Sequence, residues 1–434
     1  MPVPHNLPGG RFVDVNTIPR MAIGSVEVLK EGAAATYGSD AIAGVANFKT
    51  RKDFQGVQLS AGFQDIDASD GNSEFGAIWG TQVGDFDWVT SFGYETRSEL
   101  SMRDRPFSTV PYATNTRGGF SSIGNPGVFF RPQAALDQAA SGGSLFSSLA
   151  GSLGGTKDPN CEALGGVDNS LFCRFRYTDF DNLIEEEERY QLFSEVNGEL
   201  SNGVGLHLEF MYSKVDVPEW NTSPSYPPQA LFGDIQFLPA DHPGLVAMAA
   251  QYPQFEQYTT AQTGDAGTGE GATFYGRLAG VAGFNETNGE GREAKREYDT
   301  YRVAAVFDGE FDNGVGWDVG LTYSQSESEV GGVDAQIGRT KLAFRGFGGN
   351  SCGASLDTSG NVVQGSAVAG EGGCLYYNPL SNAIQTSYAS STYGYVNPDY
   401  NAAVANSDEV LEYLDSTSIT ESQSSLMVLD VVFQ

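Results

Sequence analysis

The chain carries, from Val26 to Phe48, the stretch VEVLKEGAAATYGSDAIAGVANF. Two short β-prone pieces, 26–29 and 45–48, flank a centre made almost wholly of Gly, Ala, Ser and Asp. Gly32, Gly38 and Gly44 recur every six residues, a spacing suited to turns or to close backbone approach. Ser39 can cap a very short helix that begins at Asp40, has Ala41 to Ala43 as its body and stops at Gly44. The stretch therefore predicts a strand, a compact turn structure and a second strand. It is not a nucleotide loop, because no Lys follows a Gly-rich turn at P-loop spacing.

Downstream of it the residues alternate. GVQLSAGFQ (56–64) sets Val57, Leu59, Ala61 and Phe63 on one face and Gln58, Ser60, Gly62 and Gln64 on the other. FDWVTSFGY (86–94), GLHLEFMYS (205–213) and GWDVGLTYS (316–324) repeat the pattern, and 75–83, 190–196, 301–307 and 424–433 follow it with less contrast. A period of two marks strands with one apolar and one polar face, here eight of them, each about ten residues long. The apolar face is rich in aromatics, often near strand ends.

The connections alternate as well. Gly84-Asp85, Ser201-Asn202-Gly203 and Asp312-Asn313-Gly314 read as tight hairpin turns, Asn-Gly being favoured where φ must be positive. Between them run connections of roughly 90, 80 and 100 residues, starting near Thr96, Asp216 and Glu327, lengths that are rare in a compact soluble domain. Short turns at one end and long loops at the other describe an outer-membrane barrel. A soluble β-sandwich also alternates apolar and polar residues, but gives no reason for every long connection to fall at the same end.

Composition agrees. The 434 residues include 55 Gly, 27 Phe and 20 Tyr, and only 18% are charged, a balance suited to a many-stranded β-protein. The net charge of −31 argues against nucleic acid, whose counterions only Lys and Arg can displace. It argues equally against loops that bind bare anionic lipid unless divalent cations bridge the two. No apolar run approaches the roughly 18–20 residues of a spanning helix, and no basic-plus-apolar signal segment opens the chain; entry into a membrane must be by strands. Four cysteines fall as two local pairs, Cys161 with Cys173 and Cys352 with Cys374, each within a Gly/Ser/Asn-rich loop. They are disulfide candidates for an oxidising compartment, each closure contributing about 3 kcal/mol in the chain-entropy model. Free thiols are the alternative. None of His5, His207 and His242 lies near a Cys in sequence, which disfavours zinc.

Asn16-Thr-Ile-Pro19, the 26–48 stretch and TRKDFQG (50–56) together resemble the end of the plug domain of TonB-dependent outer-membrane receptors. In that family this segment closes the plug and leads straight into the first barrel strand, as GVQLSAGFQ does here. The resemblance implies a transmembrane antiparallel β-barrel, here about eight strands of a larger one, behind a remnant of an α+β plug: residues 1–53 as the C-terminal part of the plug and 54–434 as the N-terminal part of the barrel with long extracellular loops. It carries over Val26, Glu27, Val28 and Leu29 as a plug strand, and Gly32, Tyr37, Gly38, Ser39, Asp40, Gly44 and Asn47 as its turn structure. Cys374 followed by LYYNP (375–379) is similar to an extracellular loop of large-barrel members. Ser25 stands where the family usually places an Arg that pairs with barrel carboxylates, a departure that puts an ionic latch between plug and wall at that position in question. The resemblance further implies active uptake at the bacterial outer membrane, with outer-membrane lipid and TonB with its inner-membrane energising complex as partners, a small-molecule ligand bound above the plug between the extracellular loops, and no cofactor.

Such a plug exceeds 100 residues and opens with a TonB-contact segment. This chain has about 50 residues before the barrel and no such segment, and VLDVVFQ (428–434) stops mid-strand. An eight-stranded barrel fills its interior with side chains alone, so a fragment is expected. Rival readings are a passive porin-like or surface-binding barrel, and a soluble β-rich binding protein.

Other motifs carry less. Gly349-Asn350-Ser351-Cys352-Gly353 fits the hydrolase elbow pattern, but no His follows it. Asp65 to Gly71 imitates a calcium loop with its Gly one place late. The run 185–188 of four Glu reads as a solvated acidic rim, and His207 as a lumen-facing polar residue. Trp220, Tyr226, Tyr252 and Tyr258 could stack on a ligand or pack the second long loop's own core. No catalytic constellation or metal site emerges.

Overall fold

A computed structural model describes residues 15–30, 32, 44–124, 126–132, 155–169, 172–222, 234–259, 270–278, 292–387 and 396–434. The opening stretch forms an antiparallel hairpin of β1 (Ile23–Leu29) and β2 (Val45–Thr50), with Val26 opposite Phe48 and Leu29 opposite Val45. Gly44 lies where a Cβ would stand 2.6 Å from the Leu29 carbonyl oxygen, so the backbone approach itself demands Gly. Tyr37, Gly38, Ser39 and Asp40, and with them the expected short helix, lie outside the described residues.

Eight long strands follow: β3 (Gly56–Gln64), β4 (Asn72–Val83), β5 (Phe86–Arg97), β6 (Glu187–Glu199), β7 (Gly205–Thr222), β8 (Arg292–Glu310), β9 (Gly316–Ala335) and β10 (Asp415–Phe433). Each pairs antiparallel with the next, giving one meandering sheet with β3 and β10 at its margins. β3 coincides with the alternating GVQLSAGFQ. The others outrun the expected ten residues because they climb above the apolar band. On β8 and β9 the outward side chains change from Phe307, Val303 and Leu321 to Glu297, Asp299, Glu327 and Glu329, and where both faces are polar the period-two contrast disappears.

The turns follow loop length. Between β4 and β5 only Gly84 has positive φ (64°), as a two-residue turn with Gly first requires. The β6–β7 and β8–β9 turns are copies of one another. Gly203 (φ 78°) donates to Leu200 O at 2.9 Å and Gly314 (φ 82°) donates to Phe311 O at 2.8 Å. The expectation of positive φ at Asn is corrected: Gly alone takes it, and Asn202 and Asn313 accept the backbone N–H two residues on, at 3.4 and 3.2 Å. That is the Asx turn.

The sheet buries little of its outward face. Val57, Leu59 and Phe63 are 65–70% exposed, and Trp79, Trp88, Leu208, Val303 and Leu321 are exposed with them. At the turn end Phe311 packs on Trp317 and Phe433, with ring centroids 6.1 and 6.5 Å away. Towards the long-loop end Tyr94 meets Tyr190 (4.9 Å) and Tyr301 meets Tyr323 (6.1 Å). Two aromatic girdles around an apolar band is the pattern of a membrane wall. Among the described residues no helix is long and apolar enough to cross a membrane; the strands cross it.

The described parts of the long connections are folded. A four-stranded sheet orders 237–238, 272–275, 128–130 and 156–157 side by side, drawing on the first two connections. Helices α1 (Pro243–Gln251), α2 (Glu256–Thr259), α3 (Ile337–Phe344) and α4 (Asp408–Leu414) pack around it. Pro243 opens α1 without a lost donor, and His242 caps it by accepting from Leu245 N at 3.4 Å. Ser407 caps α4, with Asp408 and Glu409 in its first turn, where negative charge meets the positive end of the helix. Cys161 is joined to Cys173 and Cys352 to Cys374, each within one connection.

Candidate functional site at the junction of plug and wall

The inward face of the sheet carries Gln191, Glu195, His207, Glu209, Ser213, Thr300 and Arg302, and the plug segment sits on it. Ile18 and Ala22 pack against Phe193 and Met211. Met21 lies over Gly76, where a Cβ would come within 2.8 Å of its Cγ, so the wall is hollowed by glycine where the plug needs room. The Gln191 amide donates to Asn16 O. The Thr50 hydroxyl donates to Glu195 Oε2 at 2.9 Å, engaging a carboxylate that is 2% exposed. Beside it Arg302 pairs with Glu209, and His207 Nδ1 lies 2.6 Å from Asn197 Oδ1. His207 therefore faces inward among polar neighbours.

Ion pairs between the plug segment and the wall are made from Arg20. Arg20 reaches Glu74 on β4 at 2.6 Å and Glu95 on β5 at 4.0 Å. Arg51 adds a hydrogen bond to Gln58 at 3.0 Å. Within the hairpin, Glu27 receives Lys49 at 2.6 Å. Val26, Val28 and Leu29 are exposed, and Asn47 lines a cavity of about 690 Å³ between the plug segment and the wall, together with Phe48, Met211, Arg302 and Leu426. The apolar residues on the inward side of β10 that meet this cavity give no period-two contrast, which hid their direction in the sequence.

Above the wall, two of the four aromatics that could stack on a ligand or pack the loop's own core, Tyr252 and Tyr258, take the packing role. Tyr258 is wholly buried and donates to Phe129 O at 2.8 Å; Tyr252 packs beside the same core and donates to Asp399. Trp220 lies under the Arg296 guanidinium at 3.5 Å, and Tyr226 is outside the described residues. The LYYNP segment is a hub. The Tyr377 ring is in the core and its hydroxyl donates to Leu278 O, while Asn378 bonds Asn382 and Val404 O, both at 2.9 Å. His242, fully buried, donates from Nε2 to Tyr377 O at 3.1 Å, and burial pushes its pKa down to about 4. Burial instead raises the pKa of Asp158, against hydrogen bonds from Ser381 N and Asn160 N.

The remaining motifs resolve plainly. The 349–353 pattern follows a helix, not a strand, and its Cys352 is disulfide-bonded. Asp65 to Gly71 is the short β3–β4 connection, where Asp67 O accepts from Arg105 at 2.7 Å. The acidic run is not simply solvated: Glu187 pairs with Arg189 at 2.9 Å, and Glu188 accepts from Tyr190 at 2.8 Å and Tyr94 at 3.3 Å, tying the upper girdle together. Among the described residues no group of three or more His, Cys, Asp and Glu could hold a metal ion.

Residues 2–45 match the family described as the TonB-dependent receptor plug domain, a match confined to the N-terminal segment of the chain. Its place is the outer membrane. Solved structures to which it is similar include the siderophore receptor PiuA from Acinetobacter baumannii, at 13% identity and TM-score 0.25 over 95% of this chain and 45% of that one. The outer membrane transporter YddB from Escherichia coli is similar at 9% identity and TM-score 0.20, over 67% of this chain and 33% of that one. The chain spans less than half the length of either. Likeness at this level says nothing of what this chain carries.

Proposed function

We propose that the chain takes part in TonB-dependent uptake of a scarce nutrient, an iron–siderophore, cobalamin or an oligosaccharide, with residues 1–53 as plug and 54–434 as wall and loops. TonB and its inner-membrane energising complex supply the pull. The observation that supports this reading is the seat of the plug segment: a few polar contacts and one small apolar cluster on a largely hydrophilic wall, firm enough to position it and weak enough to release it.

The register suggests how release proceeds. Ile23 and Thr50 are partners at the same end of the hairpin, and Thr50 is held to the wall through Glu195. A pull on the chain ahead of Val15 first loads the contacts of Asn16, Ile18 and Arg20. It then peels β1 from β2 one pair at a time, beginning at Ile23 and ending at Leu29. Peeling breaks hydrogen bonds singly, where shear would load them all together, so little force is required. Plug motif residues Val26 to Leu29 and Asn47 are, in this proposal, the zipper.

The test is entry of labelled ferric chelates, cobalamin and oligosaccharides into Gram-negative cells expressing the chain, with and without TonB and with and without a protonophore. Entry that vanishes when either is withdrawn supports the reading. Entry indifferent to both supports a passive barrel.

A further inference from the structure

We infer that four inward glycines of β3 to β5, Gly62, Gly76, Gly80 and Gly93, are positioning residues for the plug segment. Together they form a mould that fixes by shape, and not by attraction, where the segment sits. The inference rests on the plug reading above. None of the four has a positive φ, so the backbone there would accept any residue, and Gly inside a strand weakens it. What each supplies is space, and each space is filled by a group that seats the segment.

A Cβ at Gly76 would stand 2.8 Å from Met21 Cγ of the plug segment. At its ladder partner Gly93, a Cβ would overlap Oε1 of Gln191, whose amide donates to Asn16 O. At Gly62 it would stand 2.9 Å from Cγ of Glu74, the residue that receives Arg20. At Gly80 it would overlap Phe54 O, where the chain passes from plug to wall. Strand β9 gives the contrast. Gly320 also points inward, yet a Cβ there would meet only Val306 Cγ2 at 3.6 Å and Asp430 Cβ at 4.0 Å, ordinary contacts within the wall. Steric repulsion is short-ranged: it sets a position to within a fraction of an ångström and vanishes once the surfaces part. A moulded seat therefore combines close placement with easy release, and it is indifferent to salt.

Hydrogen exchange at the Ala22, Arg51 and Phe54 amides, each donating to a carbonyl within the segment, reads the seating on the whole chain in a lipid nanodisc. Gly76→Ala is expected to speed it about tenfold or more, the scale of an overpacked contact, with β5 and β6 amides unchanged. Placed on Met21→Ala, the same substitution should change nothing, because the atom it strikes is gone. Gly320→Ala should be silent. Unaltered exchange in Gly76→Ala overturns the inference. So does acceleration of the same size in the Met21→Ala background, since the glycine would then serve the strand and not the plug. Should Gly76→Ala fail to insert, Met21→Phe decides with the wall sequence intact: faster exchange at the three amides supports the mould, and unaltered exchange overturns it. The readout is seating and stands apart from uptake. Entry indifferent to TonB would sink the transport reading and leave these rates as they are.

Discussion

The wall and the packed body formed above it by the described parts of the long connections, called the lid below for its position alone, obey opposite burial rules within one polypeptide. In the wall, Leu59 is 65% exposed and Glu195 is 2% exposed; in the lid, Phe129 and Leu245 are wholly buried. The hydrophobic effect explains the lid directly, since water is excluded from its core. The wall can follow the reverse arrangement only if its outward solvent is lipid and its backbone groups are satisfied along the ladder. The contrast shows that the apolar residues of this chain serve two solvents, and that the boundary between them runs through the strands themselves, at the height of Tyr94, Tyr190, Tyr301 and Tyr323.

The strongest way to break the comparison is a hole in the lid. Phe344→Ala should cost about 3–5 kcal/mol, read as loss of the lid's thermal transition while β-sheet circular dichroism persists. Next, Leu321→Arg on the lipid-facing side of β9 should cost about 2–4 kcal/mol near mid-bilayer, read as failed insertion into vesicles. The same substitution at an exposed lid position such as Val363 should be silent. Removing Cys161 and Cys173 together, as serines, should lower lid stability by about 3 kcal/mol and leave insertion untouched.

Acid should sharpen the comparison. His242 is neutral in the lid with its pKa near 4, against an ordinary 6.5. Between those values the unfolded chain binds a proton that the folded lid does not, so lid stability is full above about pH 6.5. It falls as the pH drops towards 4, by on the order of 3 kcal/mol. Asp158, with its pKa raised, works in the opposite sense at the acid end. His242→Gln should flatten the profile measured by lid unfolding between pH 4 and 7. The smallest effect belongs to Arg20→Ala. The Arg20–Glu74 pair is largely exposed and worth at most about 1 kcal/mol, so the variant should slightly raise protease access to the plug segment, an increment that high salt reproduces in the parent chain.

How much was legible depended on which solvent each residue meets. Val57, Leu59 and Phe63 against Gln58, Ser60 and Gln64 gave β3 directly, because lipid on one side and polar surroundings on the other impose a strict period of two. The upper thirds of β8 and β9 were illegible, since Glu297, Asp299, Glu327 and Glu329 leave both faces polar. So was the lid core: its strands are two to four residues long and its helices short, too brief for any period to register, and Phe129, Phe274 and Phe344 come from connections far apart in sequence. Arg20 escaped notice because a latch is a matter of where a guanidinium lands, and Ile23 to Thr50 had to fold back before its position could matter.

The sequence by itself determined the ladder, the placement of short and long connections and the plug signature, because alternation and turn chemistry act between near neighbours. Only the tertiary structure decided that three distant connections close into one core, and that the plug segment is held by Arg20, Thr50 and Gln191. Those contacts join residues whose proximity no local pattern encodes; it arises when the wall has brought their attachment points together.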